Sequence, residues 1–226
     1  MTHRAGINRN TKAILFDHDG TLIDSEAVHF ALWQQVLNAY DITLEREFHD
    51  EKMAGIPVNQ NAKDVIAHFS LDADPAELAD QKHALTAQYL AEQAFPLMDD
   101  AKAAIERCYE AGFTLAIVTG GSRLSLEKTL TTHGFSDMFS ATVAVEDVAH
   151  SKPAPDCYQK VLAMLELDGS ETVAVEDTMY GMQAALGAGI ACIAIPTENS
   201  SDHDFTGAVG RFDSLTQWLD EALAKP

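Results

Sequence analysis

Basic residues are scarce in this chain of 226 residues: 15 Lys and Arg stand against 35 Asp and Glu, a formal charge of -20. A field of that sign repels the phosphates of nucleic acid and of an anionic membrane surface, so neither is an expected partner. The charge speaks first to solubility, and through self-repulsion it favours a monomer. Cysteine is nearly as sparse. Cys108, Cys157 and Cys192 are far apart, make no Cys-x-x-Cys pair and follow no secretory leader, which points to reducing, cytoplasmic surroundings with structural thiols. The first ten residues are polar and no apolar stretch approaches membrane-spanning length, so neither export nor insertion is expected. Internal repeats and low-complexity segments are absent too. Apolar residues make up 46% of the chain, enough for one large domain or for a core with a smaller satellite.

Short apolar runs with strand character recur at 13–16, 114–118, 141–145, 172–175 and 191–195, with helical patterns between most of them. This alternation predicts an α/β fold with a doubly wound parallel sheet. Helices are expected at 99–111, 122–133 and 156–167, the first two closed by Gly112 and Gly134. Between the first and second strands, residues 25–93 read as helical without a convincing strand. They predict a small helical domain inserted in a core of residues 1–24 and 94–226. Val28, Leu32, Val36 and Leu37 share one face of its first helix, and Asp74-Pro75-Ala76-Glu77 carries the cap, first-turn proline and acid of a helix start. Gly55 to Gln60 reads as the loop between two of its helices.

Chemistry is concentrated where the strands end. Asp17 and Asp19 follow the first apolar run, and residues two apart in a strand point the same way, so both can converge on one small ligand. Two carboxylates so placed repel each other unless a proton or cation lies between them, and a divalent metal is the obvious solution. Gly20 lets the backbone bend where a helix must start. Thr119-Gly120-Gly121-Ser122 follows the second run, His150-Ser151-Lys152-Pro153 lies after the third, and Glu176-Asp177 ends the fourth. Ligands of doubly wound sheets bind beyond the carboxyl ends of the strands, where Asp17, Thr119 and Glu176-Asp177 all fall.

In this order, the four segments resemble the motifs of the haloacid dehalogenase superfamily, in its phosphatase and phosphomutase branch. They are Asp-x-Asp-Gly-Thr at 17–21, a strand ending in Thr119, Lys152-Pro153, and the acidic pair Glu176-Asp177 before a small-residue helix. The resemblance covers almost the whole chain and implies a Rossmann-like core, with the helical insertion acting as a cap that selects substrate. It implies Asp17 as a nucleophile that forms an aspartyl phosphate, and Asp19 as general acid and then general base. It implies Mg2+ as cofactor, held by Asp17, the backbone carbonyl of Asp19 and Asp177, with Glu176 adjacent as a direct or water-mediated ligand. Thr119 and the amides of Gly120 and Gly121 would hold phosphate oxygens, and Lys152 would neutralise the transferring phosphoryl group.

The expected activity is hydrolysis of a small soluble phosphomonoester, a sugar phosphate or related metabolite. A phosphomutase resembling beta-phosphoglucomutase is the alternative. Such a mutase must grip a second phosphate, and in that subfamily a basic cap loop contributes, whereas 55–60 holds no Arg or Lys and only Lys52 and Lys63 flank it. The cap carries four basic residues, Arg46, Lys52, Lys63 and Lys82, against twelve acidic ones. Asp19 argues against the dehalogenase and phosphonate-hydrolysing branches, which replace it. A noncatalytic binding module would be expected to have lost one of Asp17, Asp19, Lys152 or Asp177, and all four are present. His18 should turn away from the two aspartates and pack, and Arg123 reads as either a substrate contact or an exposed residue at a helix start. The re-entry segment 95–100 lacks the Pro-Gly step common in relatives, which leaves the second hinge open.

Overall fold

The computed structural model describes residues 5–224; residues 1–4 and 225–226, the extremes of the expected core segments, lie outside the described residues. The chain divides into two compact units, one of residues 1–24 with 96–226 and one of residues 25–95.

The larger unit is built on a sheet of six parallel strands: β1 (Ala13–Phe16), β2 (Thr114–Val118), β3 (Phe139–Val143), β4 (Thr172–Glu176), β5 (Ala191–Ala194) and β6 (Gly210–Arg211), in the order β3-β2-β1-β4-β5-β6. From β1 the chain winds outward through β2 and β3, then returns to the other side through β4. The order therefore reverses between β1 and β4, and a crevice opens at their carboxyl ends. Side-chain alternation explains the two layers of core. Ile14, Phe16, Leu115, Ile117, Val173 and Val175 pack one face with Ile105, Leu126 and Trp218, while Ala13, Leu15, Ala116, Val118 and Ala174 pack the other with Tyr158, Val161 and Met182. The four residues of β1 are wholly buried.

The third strand lies two residues earlier than the apolar run suggests. Ala144 N–H donates to the Asp147 carboxylate and Val145 N–H to Gly121 O, so both amides leave the ladder and Val145–Asp147 forms a 3-10 turn. The two-residue β6 has too little apolar sequence to be read as a strand. The expected helices appear as α5 (Ala101–Glu110), α6 (Arg123–His133) and α7 (Asp156–Leu165), followed by α8 (Met179–Gly187) and α9 (Leu215–Ala222). Gly134 closes α6 in the left-handed conformation. The helix of α7 stops two residues short of Leu167 because Glu166 turns left-handed and Leu167 N–H reaches back to Leu162 O.

The two points where the chain leaves and re-enters this unit are stitched together. Asp24 N–H donates to Pro96 O at 2.9 Å, Met98 N–H donates to Leu22 O at 3.0 Å, and Ile23 and Leu97 form an antiparallel bridge. That is the backbone of the second hinge, made without a Pro-Gly step.

The smaller unit contains α1 (Glu26–Leu37), α2 (Arg46–Lys52), α3 (Val58–Phe69) and α4 (Pro75–Glu92) around a core of Trp33, Val36, Leu37, Leu44, Met53, Ala62, Val65 and Leu78. Val28 stays half-buried on α1, whose fully buried residues are Leu32, Trp33, Val36 and Leu37. Asp74 caps α4 by accepting from Ala76 N–H. The segment expected as a loop at 55–60 is shorter, since Val58, Asn59 and Gln60 form the first turn of α3 behind Pro57. Lys82 departs from the surface role its charge suggests. It is fully buried, with Nζ 2.9 Å from Thr86 Oγ1, 3.1 Å from His29 Nδ1 and 5.9 Å from the Trp33 ring centroid. Burial lowers its pKa to about 8 against a pull upward from Glu26.

Candidate active site

At the crevice between β1 and β4 the structure gathers Asp17, Lys152, Glu176 and Asp177. Asp17 N–H continues the sheet ladder to Val175 O at 2.9 Å, which fixes its Cα at the end of β1. One carboxylate oxygen from each of Asp17, Glu176 and Asp177 lies within 4.8 Å of the others, and all three residues are buried. Lys152 reaches in from the loop after β3. Its ammonium donates to Asp17 Oδ1 at 2.5 Å, to Glu176 Oε1 at 2.6 Å and to Val118 O at 2.9 Å. An ammonium has three N–H donors, so each is occupied by the protein itself.

Burial pushes the Asp17 carboxyl upward, with Lys152 pulling it down, and drives Glu176 to about 7 for the same reason. Asp177 is raised well above the usual carboxylate range by burial and then by repulsion from Asp17 and Glu176. Burial works against the Lys152 charge, but the two carboxylates beside it prevail and hold its pKa above the ordinary lysine value. Three carboxylates facing one ammonium leave an excess of negative charge in a buried site. Oε2 of Glu176 is buried without a hydrogen-bond partner, and Asp177 makes no hydrogen bond among the described residues. Hard, crowded oxygen donors with an orphaned buried atom fit a divalent cation such as Mg2+.

Two glycines make room for this cluster. Gly20 has φ +79°, and a Cβ there would overlap Asp177 Oδ2; a Cβ on Gly181 would overlap Glu176 Oε2. The close approach explains why a small residue must stand at each position.

Asp19 is oriented differently from Asp17. Its carboxylate, 36% exposed, accepts from Thr119 Oγ1 at 3.3 Å and lies close to Gly121, whose Cβ, if present, would be 2.7 Å from Oδ2. The pair therefore divides the site, with Asp17 on the acidic cluster and Asp19 beside the Thr119 loop. His18 is wholly buried, with Nε2 3.1 Å from Thr129 Oγ1 on α6. Its other nitrogen remains 3.6 Å from Asp19 Oδ2, so alternation separates the ring from the aspartates only in part.

The Thr119 loop also differs from expectation. Gly121 N–H, anticipated as a phosphate donor, is taken by Thr119 Oγ1 at 2.8 Å, while Gly120 before it is an exposed residue. The entrance of α6 is filled from within the chain: Ser122 Oγ accepts from Ser125 N–H and the Glu146 carboxylate from Arg123 N–H. The Arg123 side chain pairs with Asp147 and donates to Thr142 Oγ1 at 2.7 Å, so it clamps the loop to the end of β3 instead of projecting toward a ligand.

Tyr158 is the site contact that motif reading passes over. Its hydroxyl donates to Glu176 Oε1 at 2.5 Å from a fully buried position on α7. The signal was its place on the apolar face of that helix beside Cys157 and Val161, where a tyrosine hydroxyl needs a partner.

A family model for haloacid dehalogenase-like hydrolases matches residues 14–195. The chain is 31% identical over 221 residues to the plasmid-encoded protein CbbY of Cupriavidus necator, covering 88% of this chain and 83% of that protein. It is 29% identical to fructose-1-phosphate phosphatase YqaB of Escherichia coli, covering 80% of this chain and 95% of YqaB. The crystal structure of CbbY from Rhodobacter sphaeroides in complex with phosphate superposes with a TM-score of 0.78 at 28% identity, over 92% of this chain and 96% of that one. Sequence, fold and the four converging motifs agree, and the chain belongs to the haloacid dehalogenase-like hydrolase family, in its phosphatase and phosphomutase branch.

Proposed function

We propose that the chain is a magnesium-dependent phosphatase that hydrolyses a small soluble phosphomonoester, a sugar phosphate or related metabolite, through an aspartyl phosphate on Asp17. The observation that carries this reading is the division of the two aspartates. Asp17 sits in the acidic cluster against Lys152, and Asp19 stands apart at the Thr119 loop.

In the first step a carboxylate oxygen of Asp17 attacks phosphorus, the bond from phosphorus to the ester oxygen breaks, and Asp19 gives its proton to the departing alkoxide. Asp19 then takes a proton from water as that water attacks phosphorus, and inorganic phosphate leaves with Asp17 restored. Lys152 opposes the upward push of burial on the Asp17 carboxyl and orients it. Because its donors are all occupied, it can bond a phosphoryl oxygen only by exchanging one of them. Thr119, with the Gly120 amide and then Gly121 once Thr119 Oγ1 releases it, receives the phosphoryl oxygens. Asp17, the Asp19 carbonyl and Asp177, with Glu176 directly or through water, would hold Mg2+, which supplies charge neutralisation to the phosphoryl oxygens. Residues 25–95 act as the cap that selects the leaving group.

YqaB is named for a sugar phosphate, which supports that substrate class. The three free, buried thiols support a cytoplasmic setting, and the acidic surface supports a monomer. The test is phosphate release from a panel of glycolate, pentose and hexose phosphates with Mg2+ or chelator, with beta-glucose 1-phosphate assayed also for glucose 6-phosphate. Metal-dependent release from a subset, abolished by Asp17→Asn in a folded protein, is expected. Isomerisation without release would overturn hydrolysis in favour of the mutase, and silence throughout would overturn both.

A further inference from the structure

Within the acidic cluster, the two oxygens of Glu176 have different fates, and its Oε2 is the atom left buried without a hydrogen-bond partner. Oε1 receives two donors, Lys152 Nζ at 2.6 Å and Tyr158 Oη at 2.5 Å. Oε2 is buried with no partner, in the space left by Gly181. Tyr158 holds its hydroxyl in place through its ring, which is embedded with Leu15, Val118, Val143 and Met182 on one face of the sheet. The same ring lies 5.5 Å from the Lys152 ammonium. Tyr158 thus touches both groups that flank Asp17, yet it is placed too deep in the core to meet a substrate.

We propose that Tyr158 is a positioning residue for the cation site: by fixing Oε1 of Glu176 together with Lys152, it leaves Oε2 as the oxygen offered to the metal, directly or through water. The proposal rests on the reading of this cluster as a divalent-cation site. Without the phenol, only Lys152 would restrain Oε1. The carboxylate could then turn about its terminal torsion, which is broad for glutamate, and would have to be ordered when the cation arrives. Groups that hold a metal ligand in orientation commonly matter by about 10- to 100-fold in metal affinity.

The experiment is Mg2+ titration of metal-stripped full-length protein by calorimetry, with Mn2+ binding by electron paramagnetic resonance as a second reading. Tyr158→Phe keeps every ring carbon and removes only the hydroxyl. It should retain the wild-type circular dichroism spectrum, weaken Mg2+ binding by about 10-fold, and raise by the same factor the Mg2+ needed for half-maximal turnover, with kcat recovering at saturation. In a cycle with Glu176→Gln, the double variant should bind Mg2+ no more weakly than Glu176→Gln alone. An unchanged Mg2+ affinity in Tyr158→Phe, or additive losses in the cycle, would overturn the role of Tyr158 while leaving the cation site standing. A wild-type protein that binds neither Mg2+ nor Mn2+ would overturn both. Should Tyr158→Phe not fold, the wild-type chain labelled with 3-fluorotyrosine gives the answer. The Tyr158 resonance, recognised by its protection from solvent, should shift on Mg2+ saturation, and an unmoved resonance refutes the proposal.

Discussion

Lys152 Nζ stands 2.5 Å from Asp17 Oδ1, and its remaining donors go to Glu176 and to the carbonyl of Val118. Removing the ammonium leaves buried carboxylates uncompensated, a kind of loss that typically costs about 3–5 kcal/mol. Lys152→Met should therefore lower the metal-free stability by about that much in urea denaturation and reduce turnover at least about 100-fold. Mg2+ should restore part of the stability by replacing the missing charge. A variant as stable as wild type in chelator would contradict this account.

The acidic cluster also sets a pH dependence. Glu176 rises from 4.5 to about 7 on folding, chiefly through burial. The folded carboxyl then holds its proton more tightly than the unfolded one, so metal-free stability should fall as pH rises from 4.5 to 7, by on the order of 3 kcal/mol. Mg2+ favours the ionised carboxylates and should flatten or reverse that slope. Urea titrations across the window, in chelator and in saturating Mg2+, test the pair of slopes; metal-free stability that increases with pH would refute them.

Gly20, Gly181 and Gly112 separate collision from backbone strain. Gly20→Ala meets both a left-handed φ and the Asp177 carboxylate, Gly181→Ala meets only Glu176, and Gly112→Ala, at φ +87°, meets nothing within 4 Å. All three should lose stability, by about 1 kcal/mol or more. Mg2+ affinity, read by calorimetry, should collapse for Gly20→Ala and Gly181→Ala and persist in Gly112→Ala.

Lys82 gives the opposite linkage in the smaller unit. Its pKa falls from 10.5 unfolded to about 8 folded because burial disfavours the ammonium. The unfolded chain binds the proton more tightly, so the contribution of Lys82 to stability should rise as pH climbs from 8 to 10.5 and stay flat below, a gain of about 3 kcal/mol. Thermal unfolding of wild type against Lys82→Met, followed from pH 7 to 10.5, isolates the effect; a constant difference between the two would disprove it.

Much of this was legible in the order of residues because strand ends carry both the pattern and the chemistry. The run 13–16 is apolar on both faces because helices cover both sides of the sheet, and the Asp-x-Asp that follows falls where the strand order reverses. What escaped depends on side chains meeting across the fold. Tyr158 looks like any core aromatic until Glu176 is brought to it from β4. Gly121 looks like a free amide until the Thr119 hydroxyl folds back onto it. Lys82 counts as surface charge until His29 and Trp33 close around it. Periodicity reports which face of an element is apolar, not which distant polar atom arrives there.

The paired crossings at Leu22–Asp24 and Pro96–Met98 place the exit and return of the inserted segment side by side, already joined by their own backbone bonds. Both crossings lie outside the six strands of the sheet. Everything from Ser25 to Phe95 is therefore bounded as a single cassette, with both of its ends anchored on the backbone of the larger unit. Excision with a short Gly-Ser bridge from Asp24 to Pro96 should leave the larger unit folded with its sheet and acidic cluster in place, which circular dichroism and Mg2+ calorimetry would check.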